Sequence, residues 1–174
     1  CIFLAAYYGH GECLKLLLAA GGDVNKCLTN GQSPTYNAAF NGHSECLTLL
    51  LAAGGDVNKC LNDGTSPIYV AAFNGHGECI KLLLAAGGDV NKCNNDGASP
   101  IFVTAQNGHA GCLKLLLASR ADPRSTLKGF SALAVASALA GGSIARGQAP
   151  TAAAKVPSPA EYRLFAMQKE GDPA

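Results

Sequence analysis

A period of 33 residues constrains this 174-residue chain more than any other feature of its sequence. Histidine, two separate columns of cysteine, and proline all recur at this step. The positions are His10, His43, His76 and His109; Cys13, Cys46, Cys79 and Cys112; Cys27, Cys60 and Cys93; and Pro34, Pro67 and Pro100. A fixed period of this length is the sequence signature of a repeat architecture, so we expect a stack of similar units along the chain.

Residues 63–95, DGTSPIYVAAFNGHGECIKLLLAAGGDVNKCNN, show what the first half of a unit encodes. Ser66 before Pro67 predicts a helix N-cap followed by proline at the first helical position. The helix should run to about Phe73 and end at the Asn74-Gly75 pair, because both residues tolerate a positive φ.

The second half of the same unit predicts another short helix. It should run from about Gly77 to Ala86 and end at Gly87-Gly88. A polar loop follows, and Asp96-Gly97 is a turn dipeptide. Isolated helices of this length are unstable in water, so each unit must be stabilised by stacking on its neighbours.

The full pattern G-x-S-P-I-Y-x-A-A-x-x-G-H-x-E-C-x-K-L-L-L-x-x-G-G-D-V-N resembles the ankyrin repeat. It is present with small variations at 31–58 and 64–91 and in part at 1–25 and 97–122, so the resemblance covers roughly the first 140 residues. It implies an all-α fold: an ankyrin-repeat solenoid of stacked helix-turn-helix units with long loops, about four repeats plus a degenerate fifth. The chain departs from the family where an aromatic replaces the usual histidine, and there we expect aromatic packing between repeats. These positions are Tyr36, Tyr69 and Phe102.

The period and the composition together divide the chain into seven segments. They are a partial first repeat at 1–29, a second, third and fourth repeat at 30–62, 63–95 and 96–127, a degenerate fifth at 128–142, an Ala/Gly/Pro-rich linker at 143–157, and a short C-terminal helix and tail at 158–174. The C-terminal helix is predicted from Ser158-Pro159-Ala160-Glu161, a helix-start pattern. Three alternatives stay open for this segment: it covers the fifth repeat, it binds a partner, or it is a frayed terminus. Because Cys1 stands where a complete unit has Pro34, further ankyrin repeats N-terminal to residue 1 are compatible with the sequence.

Composition argues against several classes of partner. The formal net charge is +1 and charged residues make up only 14% of the chain, whereas a general nucleic-acid binder needs a clear basic excess. The same balance argues against binding to anionic membrane surfaces. No apolar run approaches the roughly 20 residues that span a bilayer. We therefore expect neither a nucleic-acid nor a membrane partner.

The recurring His-x-x-Cys motif is the main candidate for metal chemistry, since two zinc ligands at this spacing can lie on one helical turn. Packed helices lie about 8–10 Å apart, however, so equivalent side chains of neighbouring units do not converge on one ion. That separation is also too large for disulfides within a column. We expect no metal and no cofactor, and reduced thiols typical of an intracellular, cytoplasmic protein. Phosphate loops, nucleophile elbows and His-Glu-x-x-His motifs are missing from the sequence, so it does not predict an enzyme.

The resemblance implies that targets contact the loop tips and the exposed side of the first helix of each repeat. The helix positions are Tyr7, Tyr8, Phe40, Asn41, Phe73, Asn74, Gln106 and Asn107, and the tip positions are Thr29, Asn30, Gln32, Asn62, Asp63, Thr65, Asn95, Asp96 and Ala98. The column of Tyr7, Phe40 and Phe73 either anchors a partner or packs onto neighbouring helices. We predict a non-catalytic protein–protein interaction module that binds a protein partner through the concave face of the array.

Two other functions fit the same sequence. The chain is alternatively the targeting segment of a larger enzyme or adaptor, of the kinase or ubiquitin-ligase type, whose catalytic part is missing from it. A third possibility is self-association through the first repeat. The resemblance also implies one modification, because some members of the family are hydroxylated at the asparagine that here is Asn25, Asn58 or Asn91.

Overall fold

Each 33-residue unit folds into two short helices joined by a tight turn. The computed structural model describes residues 1–123, 126–127 and 130–131; the predicted linker and C-terminal helix, and all but 130–131 of the predicted fifth repeat, lie outside these residues. The helices are α1 (Ile2–Tyr8), α2 (Gly11–Ala19), α3 (Pro34–Asn41), α4 (Ser44–Ala52), α5 (Pro67–Asn74), α6 (Gly77–Ala85), α7 (Pro100–Gln106) and α8 (Ala110–Ala118). Two short strands, β1 (Thr126–Leu127) and β2 (Phe130–Ser131), pair antiparallel.

Serine and proline set the start of three first helices, as the sequence predicts. The Ser33 Oγ accepts a hydrogen bond from the Tyr36 backbone N–H at 3.0 Å, and Ser66 does the same for Tyr69 at 3.2 Å. The proline after each serine has no N–H to leave unsatisfied. At the other end, Gly75 has φ 78°, the left-handed conformation predicted for the helix C-cap.

The helices stack in two layers. The first helices pack in the order α1, α3, α5, α7, and the second helices in the order α2, α4, α6, α8, so each repeat contacts its neighbours. This arrangement confirms the predicted all-α solenoid of helix-turn-helix units.

Small and aromatic side chains fill the space between first helices. Ala71 and Ala72 are fully buried, which allows the backbones of adjacent helices to approach closely. Tyr36, Tyr69 and Phe102 are at most 5% exposed, so the aromatic rings that replace the family's histidine lie in the core between repeats, as predicted.

Candidate protein-binding surface

The predicted contact residues form two rows, and each repeat contributes one group of residues to a row. The tip row comprises Thr29, Asn30, Gln32, Asn62, Asp63, Thr65, Asn95, Asp96 and Ala98. The helix-end row comprises Tyr7, Tyr8, Phe40, Asn41, Phe73, Asn74, Gln106 and Asn107. A helix of eight residues rises about 12 Å, so the two rows bound a strip of about that width along the first helices.

Hydrogen bonds between adjacent repeats hold the tip row together. The Asn62 backbone N–H donates to the Asn30 carbonyl at 3.1 Å, and the Asn62 Nδ2 donates to the Thr29 carbonyl at 3.1 Å. One repeat later, the Asn95 Nδ2 donates to the Asn62 carbonyl at 3.2 Å. The amide nitrogens of these asparagines therefore stabilise the stack. The spacing of 33 residues between Asn62 and Asn95 is the sequence signal for this ladder.

Side-chain oxygens also fix the turn within each tip. The Asp63 Oδ1 accepts from the Thr65 backbone N–H at 2.9 Å, and the Asn30 Oδ1 accepts from the Gln32 N–H at 3.0 Å. Gly64 between Asp63 and Thr65 has φ 81°, which a residue with a side chain rarely adopts. The tips are thus held in one conformation by bonds within and between repeats.

Exposure divides the tip row. Thr29, Asn62, Asp63, Asn95 and Asp96 are exposed, whereas Asn30 and Gln32 are half-buried. The prediction that Thr65 lies at an accessible tip is wrong: its side chain is 2% exposed, because it lies directly before the buried N-cap Ser66. The equivalent residue of the next repeat, Ala98, was also predicted at a tip, and that prediction is wrong as well, because Ala98 is 2% exposed. A small apolar residue in this column was the signal for a buried position.

The aromatic rings of the helix-end row differ in exposure from one repeat to the next. Tyr7 and Phe40 are half-buried, and Phe73 is only 9% exposed. Of the two alternatives predicted for this column, Phe73 follows the one in which the ring packs onto neighbouring helices. Tyr8 is 59% exposed, and its ring meets Tyr7 edge-on at a centroid distance of 5.0 Å.

The asparagines of the helix-end row have a structural role in two repeats. Asn74 Nδ2 donates to the Phe40 carbonyl at 3.1 Å, and Asn107 Nδ2 donates to the Phe73 carbonyl at 3.1 Å. Each bond reaches a carbonyl in the last turn of the preceding first helix, the part of a helix where carbonyls need hydrogen-bond donors from outside the regular i to i+4 pattern. Asn74 is half-buried and Asn107 exposed, so both retain access to solvent beside these bonds.

Two histidines bond to the same two carbonyls, since His76 reaches that of Phe40 and His109 that of Phe73. His76 Nε2 lies 3.1 Å from the Phe40 carbonyl oxygen and must donate to it, because that oxygen only accepts. The imidazole lies so close to Gly42 that a Cβ there would be 2.7 Å from the ring. Burial lowers the pKa of His76; the neighbouring His43 and His109 lower it further, and the bond to Phe40 opposes the shift. From the sequence, these histidines were considered as part of a possible metal motif, and their bonds between repeats were missed.

The comparison with known families decides the identity of the array. A family model of ankyrin repeats, in three copies, matches residues 2–93 and again residues 69–146. The chain belongs to the ankyrin repeat family. Ankyrin repeats are generally protein–protein interaction modules and are typically non-catalytic. A search of curated proteins found no match to the chain.

The loop side of the ankyrin array carries an open polar groove of about 450 Å³ between the second and third repeats. It is lined by Asp56, Asn58, Lys59, Cys60, Asp89 and Lys92. Asn58 bridges the two loops, since its Oδ1 accepts from the Asp89 N–H at 2.9 Å and its Nδ2 donates to the Gly87 carbonyl at 3.3 Å. Burial raises the pKa of the Cys60 thiol, so the groove does not hold an activated thiolate.

All eight cysteines of the ankyrin array lie in the described residues, and all are free thiols. Cys46, Cys79 and Cys112 are buried, and burial raises the pKa of Cys79 to about 11. No group of three or more His, Cys, Asp or Glu side chains among the described residues is placed to hold a metal ion. In the same part of the chain, every helix is too short or too polar to cross a bilayer.

Proposed function

We propose that this ankyrin array is a non-catalytic module that binds another protein through its concave face, which carries the tip row and the helix-end row. One observation carries the proposal: hydrogen bonds fix the backbone of the tips while Asn62, Asp63, Asn95 and Asp96 stay exposed. A surface held in its binding conformation loses little conformational entropy when a partner docks.

The tip row supports a partner rich in hydrogen-bond donors. Asp63 and Asp96 contribute carboxylates, which only accept. The Nδ2 groups of Asn62 and Asn95 already donate to carbonyls of the array, which leaves their side-chain oxygens for a partner. Lysine or arginine side chains and free backbone N–H groups complement such a row, and charge-assisted bonds are the stronger ones.

The aromatic residue proposed to contact the partner is Tyr8, at the beginning of the helix-end row, and not Phe40 or Phe73 in its middle. Tyr8 is the exposed ring of the row and carries a hydroxyl that bonds a partner while the ring buries apolar area. Its edge-on contact with Tyr7 restricts the ring before binding. Aromatic side chains that become buried when a partner binds commonly dominate the binding energy of an interface.

Affinity capture with the intact chain, followed by titration of the captured protein, tests this placement. Two variants address the surface: Tyr8→Ala, and the double variant Asp63→Ala/Asp96→Ala. Each should weaken binding by more than ~1 kcal/mol. The matched control is Glu12→Ala/Glu78→Ala, which removes the same charge from exposed positions on second helices. Unchanged affinity in both surface variants, with circular dichroism showing intact helices, would refute the placement.

The remaining parts of the proposal concern compartment and chemistry. Three cysteines packed in the core as thiols support a reducing, intracellular location, in keeping with a cytoplasmic protein. The near-neutral charge of the chain supports a protein partner over nucleic acid or a membrane surface. We assign no cofactor and no catalytic group.

A second candidate function is a targeting segment within a larger enzyme or adaptor of the kinase or ubiquitin-ligase type. The observation that favours it is apolar exposure on the first repeat: Leu4 is 55% and Leu16 70% exposed. Further ankyrin repeats N-terminal to residue 1 would cover these leucines. Sequencing the complete transcript separates the two candidates, since a catalytic domain in the same reading frame supports the second and its absence supports the first.

A further inference from the structure

The junction between the first and second repeats differs from the two that follow it. One position in the first helix is occupied by Leu4, Asn37, Val70 and Val103 in turn. Leu4 in the first repeat is 55% exposed, whereas the other three, each with a repeat packed before it, are at most 4% exposed, so we infer that this position faces the preceding repeat. Asn37 therefore occupies, at the first junction, a site that holds valine at the second and third.

The Asn37 carboxamide is buried, and no hydrogen bond within the described residues replaces its bonds to water. Its side chain is 0% exposed, and neither Nδ2 nor Oδ1 has a hydrogen-bond partner among the described residues. Valine at this site leaves no polar atom unsatisfied. Because a buried polar group without a partner loses its bonds to water and gains none, Asn37 makes the closed first junction less stable than its neighbours.

A hydrogen bond is also missing at the same junction. Asn74 and Asn107 each donate to the carbonyl of the preceding repeat. The equivalent Asn41 Nδ2 donates instead to the backbone carbonyl of Asn37 in its own helix, at 3.2 Å. Within the described residues, no corresponding bond joins Asn41 to Tyr7, whose carbonyl oxygen faces His43 Nε2 at 3.1 Å. The first junction thus lacks the asparagine-to-carbonyl bond that the second and third junctions have at this position, independently of the buried amide.

We propose that the first repeat is a detachable unit, which opens at this junction while the second to fourth repeats stay folded. Opening hydrates the Asn37 carboxamide, so the open state regains the bonds that the closed state lacks. Repeat arrays open by neighbour-limited steps, and the junction with the weakest contacts opens first. Since Tyr7 and Tyr8 lie on the detachable unit, opening also removes these two rings from the helix-end row. The opening itself does not depend on the proposed partner binding.

Hydrogen exchange of the full chain, followed by mass spectrometry, tests the proposal without a partner. In the unsubstituted chain, amides of α1 and α2 should exchange faster than those of α4 and α6. Asn37→Val places at the first junction the residue found at the next two. We expect it to slow exchange in α1 and α2 at least about tenfold and to leave α8 unchanged within about twofold. That pattern would support the proposal, because it confines the effect to the first junction.

The matched variant Val70→Asn keeps Asn37 and adds a second weak point at the next junction. Peptides from α1 through α4 should then exchange faster together, with α8 again unchanged. Exchange in α1 and α2 that Asn37→Val does not slow would overturn the proposal, because end fraying would then be independent of the buried amide. Equal slowing in all helices would overturn it as well, since Asn37 would then affect only global unfolding.

Discussion

The second and third repeats have nearly the same backbone but different cores. Their N-caps bond at 3.0 and 3.2 Å, and the glycines that end their first helices have φ 75° and 78°. Yet the second repeat buries Thr35 and Asn37 where the third buries Ile68 and Val70. The comparison teaches that capping residues and glycines determine the geometry of a repeat, while a few facing side chains determine how firmly it holds its neighbour.

The largest expected difference between the two repeats concerns their aromatic rings. Phe73 is buried and Phe40 half-buried at equivalent positions. Phe73→Ala should therefore lower the free energy of unfolding by about 4 kcal/mol and Phe40→Ala by about 2 kcal/mol. Urea denaturation followed by circular dichroism measures both. Equal losses would mean that the two repeats pack these rings alike in solution.

Glycine substitutions test the part of the comparison in which the repeats should agree. A Cβ on Gly42 or on Gly75 would lie 2.7 or 2.8 Å from the histidine ring of the next repeat, and both glycines have positive φ. Changing either glycine to Ala should cost about 3 kcal/mol, from left-handed strain together with the clash. Gly87→Ala is the control, because Gly87 has φ 85° but no described atom within 4 Å of such a Cβ. It should cost about 1 kcal/mol in the same denaturation experiment. A large difference between the Gly42 and Gly75 variants would contradict the shared backbone geometry.

Local chemistry made most of the fold predictable from sequence. Ser66, Pro67 and Gly75 act within one turn of themselves, so the bounds of α5 follow from them alone. The structure ends α6 at Ala85, one residue before the predicted end. The expectation that no disulfide joins cysteines of one column came from the separation of packed repeats, and the cysteines of the described residues are free thiols.

The candidate site was less predictable because exposure depends on neighbouring repeats. Phe40 and Phe73 share one motif position, and only their surroundings make one ring half-buried and the other buried. Thr65 and Ala98 share a column and were both predicted at tips, although a small apolar residue in a column indicates burial. The polar Asn37 stands out in the same way among Leu4, Val70 and Val103. What a column alone does not show is which side of the helix faces the preceding repeat.

The smallest expected effect is the pH dependence that His76, in the third repeat, adds to the free energy of unfolding. Burial, together with the neighbouring His43 and His109, lowers the pKa of His76 below its ordinary value of 6.5. The unfolded chain therefore takes up this proton before the folded chain does, so the stability is full above about pH 6.5 and falls as the pH is lowered below it. His76→Gln keeps a donor for the Phe40 carbonyl but does not titrate. Between pH 7 and 5, the unsubstituted chain should lose more stability than this variant, by less than about 1 kcal/mol because solvent screens a half-buried ring. Parallel urea titrations at several pH values measure the difference. Identical pH profiles would show that His76 has the same proton affinity in the folded and unfolded chain, and that its bond across the junction is not coupled to protonation.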